Sequence, residues 1–179
     1  MKALLLTIGL ALSLTASGTT IDLKKSSFSW KGTKVSGKHL GTISLKSAKV
    51  TTSKAGFITK GNFVMDISSV TVTDLKGEWA GKFLGHLKSN DFFNVEKYPL
   101  AKLDITKDDG KMLWANLTIK AKTNPVNFKY KKEGSNYVGT LLFDRTKFDM
   151  IYGSGNFFKN LGDKMIHNEV SLDFNLVTK

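Results

Sequence analysis

From Ile166 to Thr178 apolar and polar side chains alternate, with Ile166, Val170, Leu172, Phe174 and Leu176 on one parity and His167, Glu169, Ser171, Asp173 and Asn175 on the other. A period of two describes a strand with one face buried and the other in water. Phe57, Thr59, Gly61, Phe63, Met65 and Ile67 repeat the pattern against Lys60, Asn62 and Asp66; Leu113, Ala115, Leu117, Ile119 and Ala121 do so against Asn116, Thr118 and Lys120. Shorter runs occur at Phe28 and Trp30, at Ile43 and Leu45, at Ala101, Leu103 and Ile105, at Val126, Phe128 and Tyr130, and at Tyr137, Gly139, Leu141 and Phe143, which makes eight expected strands. The inward rows carry no charge, and Gly61, Ala101, Ala115, Ala121 and Gly139 leave room among their larger neighbours.

Short polar turns between sequential strands favour an antiparallel up-and-down order, because each parallel crossover needs a dozen or more residues. Closure would remove the exposed edges. Lys107-Asp108-Asp109-Gly110 and Lys132-Glu133-Gly134-Ser135-Asn136 place glycine where a hairpin loop needs positive φ. Two stretches break the alternation. Trp79 to Lys88 sets Phe83, Leu84 and Leu87 at helical spacing, followed by Asp91, a candidate cap for a turn carrying Phe92 and Phe93. Asn156 is a candidate cap for a turn presenting Phe157, Phe158 and Leu161, with Gly162 ending it. The expected fold is all-β: an eight-stranded antiparallel barrel with one or two short helices across an open end, where they either plug the barrel as ordinary core or form the lid of a cavity.

Residues 1–18 read as a secretory signal peptide: Lys2, an apolar run from Ala3 to Leu14, and the small residues Ala16-Ser17-Gly18. Residues 19–179 then form a single domain, with prolines only at positions 99 and 125 and no linker or repeat. Cysteine is absent, so disulfides, thiolate chemistry and a lipid-bearing cysteine at the cleavage site are excluded. The expected destination is the periplasm or the medium.

The net charge of +12, or +11 without Lys2, comes from lysines scattered along the chain. Such scatter describes solvated faces, gives no arginine-rich nucleic-acid patch, and suits transient attraction to an anionic membrane surface. Catalytic signatures are weak. His39, His86 and His167 lack the spacing of a zinc site, and Gly153-Ser154-Gly155 lacks the context of a nucleophile elbow and reads as a flexible corner. Asp144-Arg145-Thr146 reads as a charge-paired corner, in which the chain's single arginine ties loops together through carbonyls or a carboxylate.

Gly85 to Thr106 joins a His-Leu-Lys-Ser run, Asp91-Phe92-Phe93 and Tyr98-Pro99 to a following strand. With Trp30-Lys-Gly32, Gly37-Lys-His39-Leu-Gly41, Leu117-Thr-Ile119-Lys, Asn124-Pro125, Asp144-Arg145-Thr146 and Tyr152-Gly-Ser-Gly155 before Phe157-Phe158, the chain resembles the YceI-like, polyisoprenoid-binding family from about Trp30 to Val177. The resemblance implies an exported, non-enzymatic protein: a lipocalin-like barrel enclosing a long apolar lipid such as a polyisoprenoid, an isoprenoid quinone or a fatty amide. It implies no cofactor and leaves open a monomer or a homodimer. His39 and His86 fall on its motif positions, where a contact to a ligand head group stands beside a plain hydrogen-bonding role. Strand parity and the two aromatic turns nominate as ligand contacts Trp30, His39, Phe63, Met65, Ile67, Phe83, Leu84, Leu87, Phe92, Phe93, Leu117, Ile119, Phe143, Tyr152, Phe157 and Phe158. A filled structural or membrane-surface barrel is the alternative. Ala121 stands where many relatives carry glycine, which implies a differently shaped turn.

Overall fold

The computed structural model describes residues 17–109 and 112–179, so the apolar leader and Gly110 of the expected hairpin lie outside them. The described chain is built mainly of strands: β1 (Ser17–Thr19), β2 (Ser27–Lys34), β3 (Gly37–Thr42), β4 (Ser44–Thr52), β5 (Ile58–Asp66), β6 (Leu100–Asp108), β7 (Leu113–Ile119), β8 (Lys122–Phe128), β9 (Tyr130–Glu133), β10 (Asn136–Asp144) and β11 (Ile166–Val177). Its α-helix, α1, spans Gly77–Lys88, and single 3₁₀ turns occupy Ile67–Ser69, Arg145–Phe148 and Gly162–Lys164.

The expected single sheet of eight strands is corrected to two antiparallel sheets, in the order β1-β4-β5-β6-β7-β8 and β3-β2-β11-β10-β9. Two sharp bends explain the difference. Ile43 alone separates β3 from β4, and Lys129 alone separates β8 from β9, so at each corner the chain leaves one sheet and enters the other. The sheets are thereby joined by covalent chain at both sides, and β11 pairs directly with β2. At the second corner Gly139 is required, because a Cβ there would stand 2.6 Å from the Lys129 carbonyl oxygen and 2.7 Å from the Phe174 ring. β1 is too short, and β3 too poor in alternation, for period alone to show them.

Pairing also shifts parity. A bulge between Thr51 and Thr52 places Ile58 in the core and leaves Phe57 and Thr59 exposed, against the expected inward row. In β7, Leu113, Ala115, Leu117 and Ile119 do face inward, but the strand ends there and Ala121 is exposed. Lys120 (φ 49°) and Ala121 (φ 58°) form the two-residue turn into β8, the geometry that favours glycine. A non-glycine residue in the left-handed region costs about 1–2 kcal/mol, so Ala121→Gly should raise stability by roughly 0.5–1 kcal/mol after the entropy of glycine is subtracted. Chemical denaturation would measure it. The glycine expected in the β9–β10 hairpin is present as Gly134, φ 60°.

Because successive strands run in opposite directions, the turns after β2, β5, β7 and β10 share one end of the molecule. That end carries α1 and the long segment from Arg145 to Met165. The turns after β4, β6 and β9 form the opposite end.

Candidate functional site

Between the sheets lie two apolar cavities of about 120 and 60 Å³, neither exposing a polar atom. The larger sits under α1, walled by Trp30, Ile67, Val70, Leu87, Phe92, Phe93, Ile119 and Phe143; the smaller extends toward the opposite end past Phe28, Phe63, Leu113, Phe128 and Phe174. Met65, Ala101, Leu117, Leu141 and Leu172 line both, so they form the waist between the two spaces. Small Ala101 keeps that waist open, and Gly61 yields to the Phe63 ring, 2.9 Å from where a Cβ would lie. Lost packing of roughly 24 cal/mol per Å³ puts the cost of leaving the two spaces empty at about 3 and 1.5 kcal/mol. An apolar cavity of this size does not hold ordered water, which needs polar partners.

α1 covers the larger cavity through Leu87 and through Phe83 and Leu84, which are half-buried against the core. Phe83 lies stacked 6.3 Å from Trp30 and 4.4 Å from the His39 ring. The Trp30 indole N–H donates to the Thr71 carbonyl at 3.1 Å. Gly41 makes that placement possible: a methyl group there would collide with the Thr71 oxygen and come within 2.6 Å of the indole. Asp74 accepts from the Leu40 N–H at 2.7 Å and bonds His39 Nδ1 at 2.8 Å. Burial works to raise its pKa, but these two hydrogen bonds prevail and hold it below the ordinary aspartate value.

At the other end of α1, His86 Nε2 bonds Asp91 at 3.0 Å and its ring meets the edges of Phe92 and Tyr152 at 5.0 and 4.6 Å. Asp91 therefore does not cap the Phe92 turn. Ser89 does, its carbonyl accepting from the Phe92 N–H at 3.2 Å. Likewise Ser154, rather than Asn156, organises the second turn, its carbonyl accepting from Phe157 and Phe158 at 3.0 and 2.9 Å, while Gly162 opens a 3₁₀ turn instead of closing a helix. The corner at Gly153-Ser154-Gly155 is consequently tied: Ser154 is fully buried and the Gly153 carbonyl accepts from Ile166 at 2.8 Å.

Nine of the nominated residues (Trp30, Met65, Ile67, Leu87, Phe92, Phe93, Leu117, Ile119 and Phe143) wall the larger cavity, and Phe63 walls the smaller. His39, Phe83, Leu84 and Tyr152 stand behind or beside that wall, and Phe157 and Phe158 point to solvent. His167 bonds Thr33 Oγ1 at 2.8 Å on the outer surface.

Sequence reasoning missed Lys120, placed by parity on the wet face. Its position at the hairpin apex turns it under two loops, where it is buried and donates to the carbonyls of Asn90 at 3.1 Å and Asp149 at 2.9 Å. Arg145 behaves as its single occurrence suggested, donating to the carbonyls of His167 and Ile166 at 3.1 Å each and to that of Met150. Asp144 does not form a contact pair with it; its carboxylate caps Thr146 through the backbone N–H at 2.8 Å. Among the described residues no group of three or more histidine or acidic side chains is placed to hold a metal ion.

The family model of the YceI-like domain matches residues 19–178. Among solved structures, BcnA of Burkholderia cenocepacia is 22% identical and superposes with a TM-score of 0.67 over 89% of this chain and 99% of its own. A polyisoprenoid-binding domain from Saccharophagus degradans, implicated in plant cell wall breakdown, is 14% identical, with a TM-score of 0.60 over 92% and 99%. The YceI protein of Campylobacter jejuni is 16% identical, with a TM-score of 0.52 over 100% and 99%. These superpositions establish the shared fold. No curated protein sequence matches the chain.

Proposed function

The chain belongs to the YceI-like family, and from that premise we propose that it is an exported, non-catalytic carrier that sequesters one long-chain apolar molecule between its two sheets. The observation that carries the reading is the pair of neighbouring cavities, both lined by Leu117 and neither exposing a polar atom. Such a space rewards an unbranched or isoprenoid chain at ~0.8 kcal/mol per buried methylene, and offers no partner to a polar substrate. Polyisoprenoids, quinones with isoprenoid tails and fatty amides share this chemistry.

Pockets that hold drug-sized ligands measure about 300–1,000 Å³, more than the 120 and 60 Å³ enclosed here. Loading therefore requires the wall to yield, and α1 is the element best suited to move. Its N-cap residue Lys76 makes no side-chain capping bond, and Gly81 and Gly85 meet nothing that a Cβ would touch. Each exposed mid-helix glycine costs about 1 kcal/mol relative to alanine.

The protein recovered from the exported fraction should begin near Thr19 and release a stoichiometric apolar compound on organic extraction, seen also as a mass shift under native ionisation. Full-length chain confined to the cytoplasm would remove the export proposal. An extract free of any such compound, from protein folded in its own compartment, would remove the carrier.

A further inference from the structure

The end of the molecule that bears α1 also collects exposed apolar side chains. Val35 (53% exposed), Trp79 (72%), Tyr152 (44%), Phe157 (55%) and Phe158 (43%) all belong to the turns after β2, β5 and β10. They are linked physically. The Val35 N–H donates to the Met165 carbonyl at 3.0 Å, and Gly155, beside the Phe157 turn, lies so close to Met165 that a Cβ would stand 2.7 Å from its sulfur. Tyr152 packs on His86 of α1, and Trp79, seven residues earlier, lies on the same helical stripe about 10 Å along the axis. Exposed aromatic clusters of this kind mark interaction sites.

Charge selects the partner. At this end Lys38, Lys76, Lys82, Lys97, Lys122, Lys147, Lys159 and Lys164 are exposed against Asp74, Glu78, Asp91, Glu96, Asp149 and Asp163, a net positive balance in which Asp74, Glu78 and Asp91 already face His39, Lys82 and His86. Lys82 lies 5.3 Å from the Trp79 ring while pairing with Glu78 at 2.7 Å. Interleaved lysine with Trp, Tyr and Phe is the composition of a surface that rests in the head-group region of a bilayer, and nearby lysines are drawn to anionic lipid.

We propose that this end docks reversibly on an anionic membrane, with Trp79, Phe157 and Phe158 entering the interface and α1 facing the bilayer from which lipid is taken. The proposal rests on the carrier reading for its purpose but not for its test. The mature protein should sediment with vesicles of phosphatidylcholine mixed with phosphatidylglycerol and much less with phosphatidylcholine alone. The double substitution Phe157→Ser and Phe158→Ser, and separately Trp79→Ser, should abolish or severely weaken sedimentation; Lys82→Gln and Lys159→Gln should each weaken it about fivefold, the equivalent of ~1 kcal/mol per nearby lysine. Leu142→Ser, an exposed apolar residue on the outer face of β10, should change nothing.

Binding indifferent to vesicle charge, or unaltered by the aromatic substitutions, would overturn the proposal. So would self-association lost in the same variants without vesicle binding, which would assign the patch to a second copy of the chain. Organic extraction of the same preparations keeps the two readings apart: absent vesicle binding with lipid retained sinks only the dock, and the reverse sinks only the carrier.

Discussion

Arg145→Met should cost about 3–5 kcal/mol of stability, because a buried cation that satisfies three carbonyls cannot be deleted without leaving those carbonyls dry. The guanidinium is almost fully buried and bonds Met150, inside the segment from Arg145 to Met165, together with Ile166 and His167 at the start of the strand that follows it. Burial pulls its pKa down and the nearby Asp144 charge opposes that, but a guanidinium stays charged in any case. Arg145→Lys should recover little, since an ammonium cannot reach three carbonyls from one plane. Thermal unfolding would show a fall of about 6–20 °C, at some 2–4 °C per kcal/mol for a domain of this size. The effect should spread to the larger cavity, because the guanidinium lies 5.8 Å from the ring of Phe92, which walls it. A methionine variant within 1 kcal/mol of the parent would mean that the three carbonyls find other donors, and the corner would lose its assigned role.

The strands with unbroken alternation were legible because inward and outward faces meet such different surroundings. Leu172, Phe174 and Leu176 face the cavities as period two predicts, and so do Leu113 and Leu117. Corners were illegible. Nothing in Thr42-Ile43-Ser44 or Phe128-Lys129-Tyr130 distinguishes a strand that continues from one that bends into a second sheet, since the bend is decided by what packs on either side. Bulges hid for the same reason: the inward row runs Phe63, Met65, Ile67, yet one extra residue near Thr59 exchanges Phe57 for Ile58. α1 was visible from its spacing. The caps of the two aromatic turns were not, because Asp91, Ser89, Asn156 and Ser154 are all competent cap residues, and His86 takes Asp91 away from that role. The cavity walls were read best where they belong to strands. The aromatic turns look like lining in the sequence, yet two of their phenylalanines, Phe157 and Phe158, face water.

Leu117→Trp should weaken lipid loading more than tenfold while leaving the delipidated protein nearly as stable as the parent. Leu117 lines both cavities at their waist, between about 120 Å³ on one side and 60 Å³ on the other. In a solidly packed interior the added ring would cost about 1–3 kcal/mol; here it enters vacant space and regains contacts that the empty cavities forgo. For a lipid threading the waist the same ring is an obstruction. Displacing as few as two methylenes forfeits about 1.6 kcal/mol, a more than tenfold loss of affinity. Thr118→Trp is the control, because Thr118 points away from the interior and forfeits only its 2.8 Å bond to Thr123. Stability must be compared after lipid removal, since a bound ligand stabilises the folded state by mass action and its loss would imitate a packing defect. If Leu117→Trp unfolds several degrees early without lipid and loads lipid as the parent does, the cavities are slack in a filled core and the protein is no carrier through that waist.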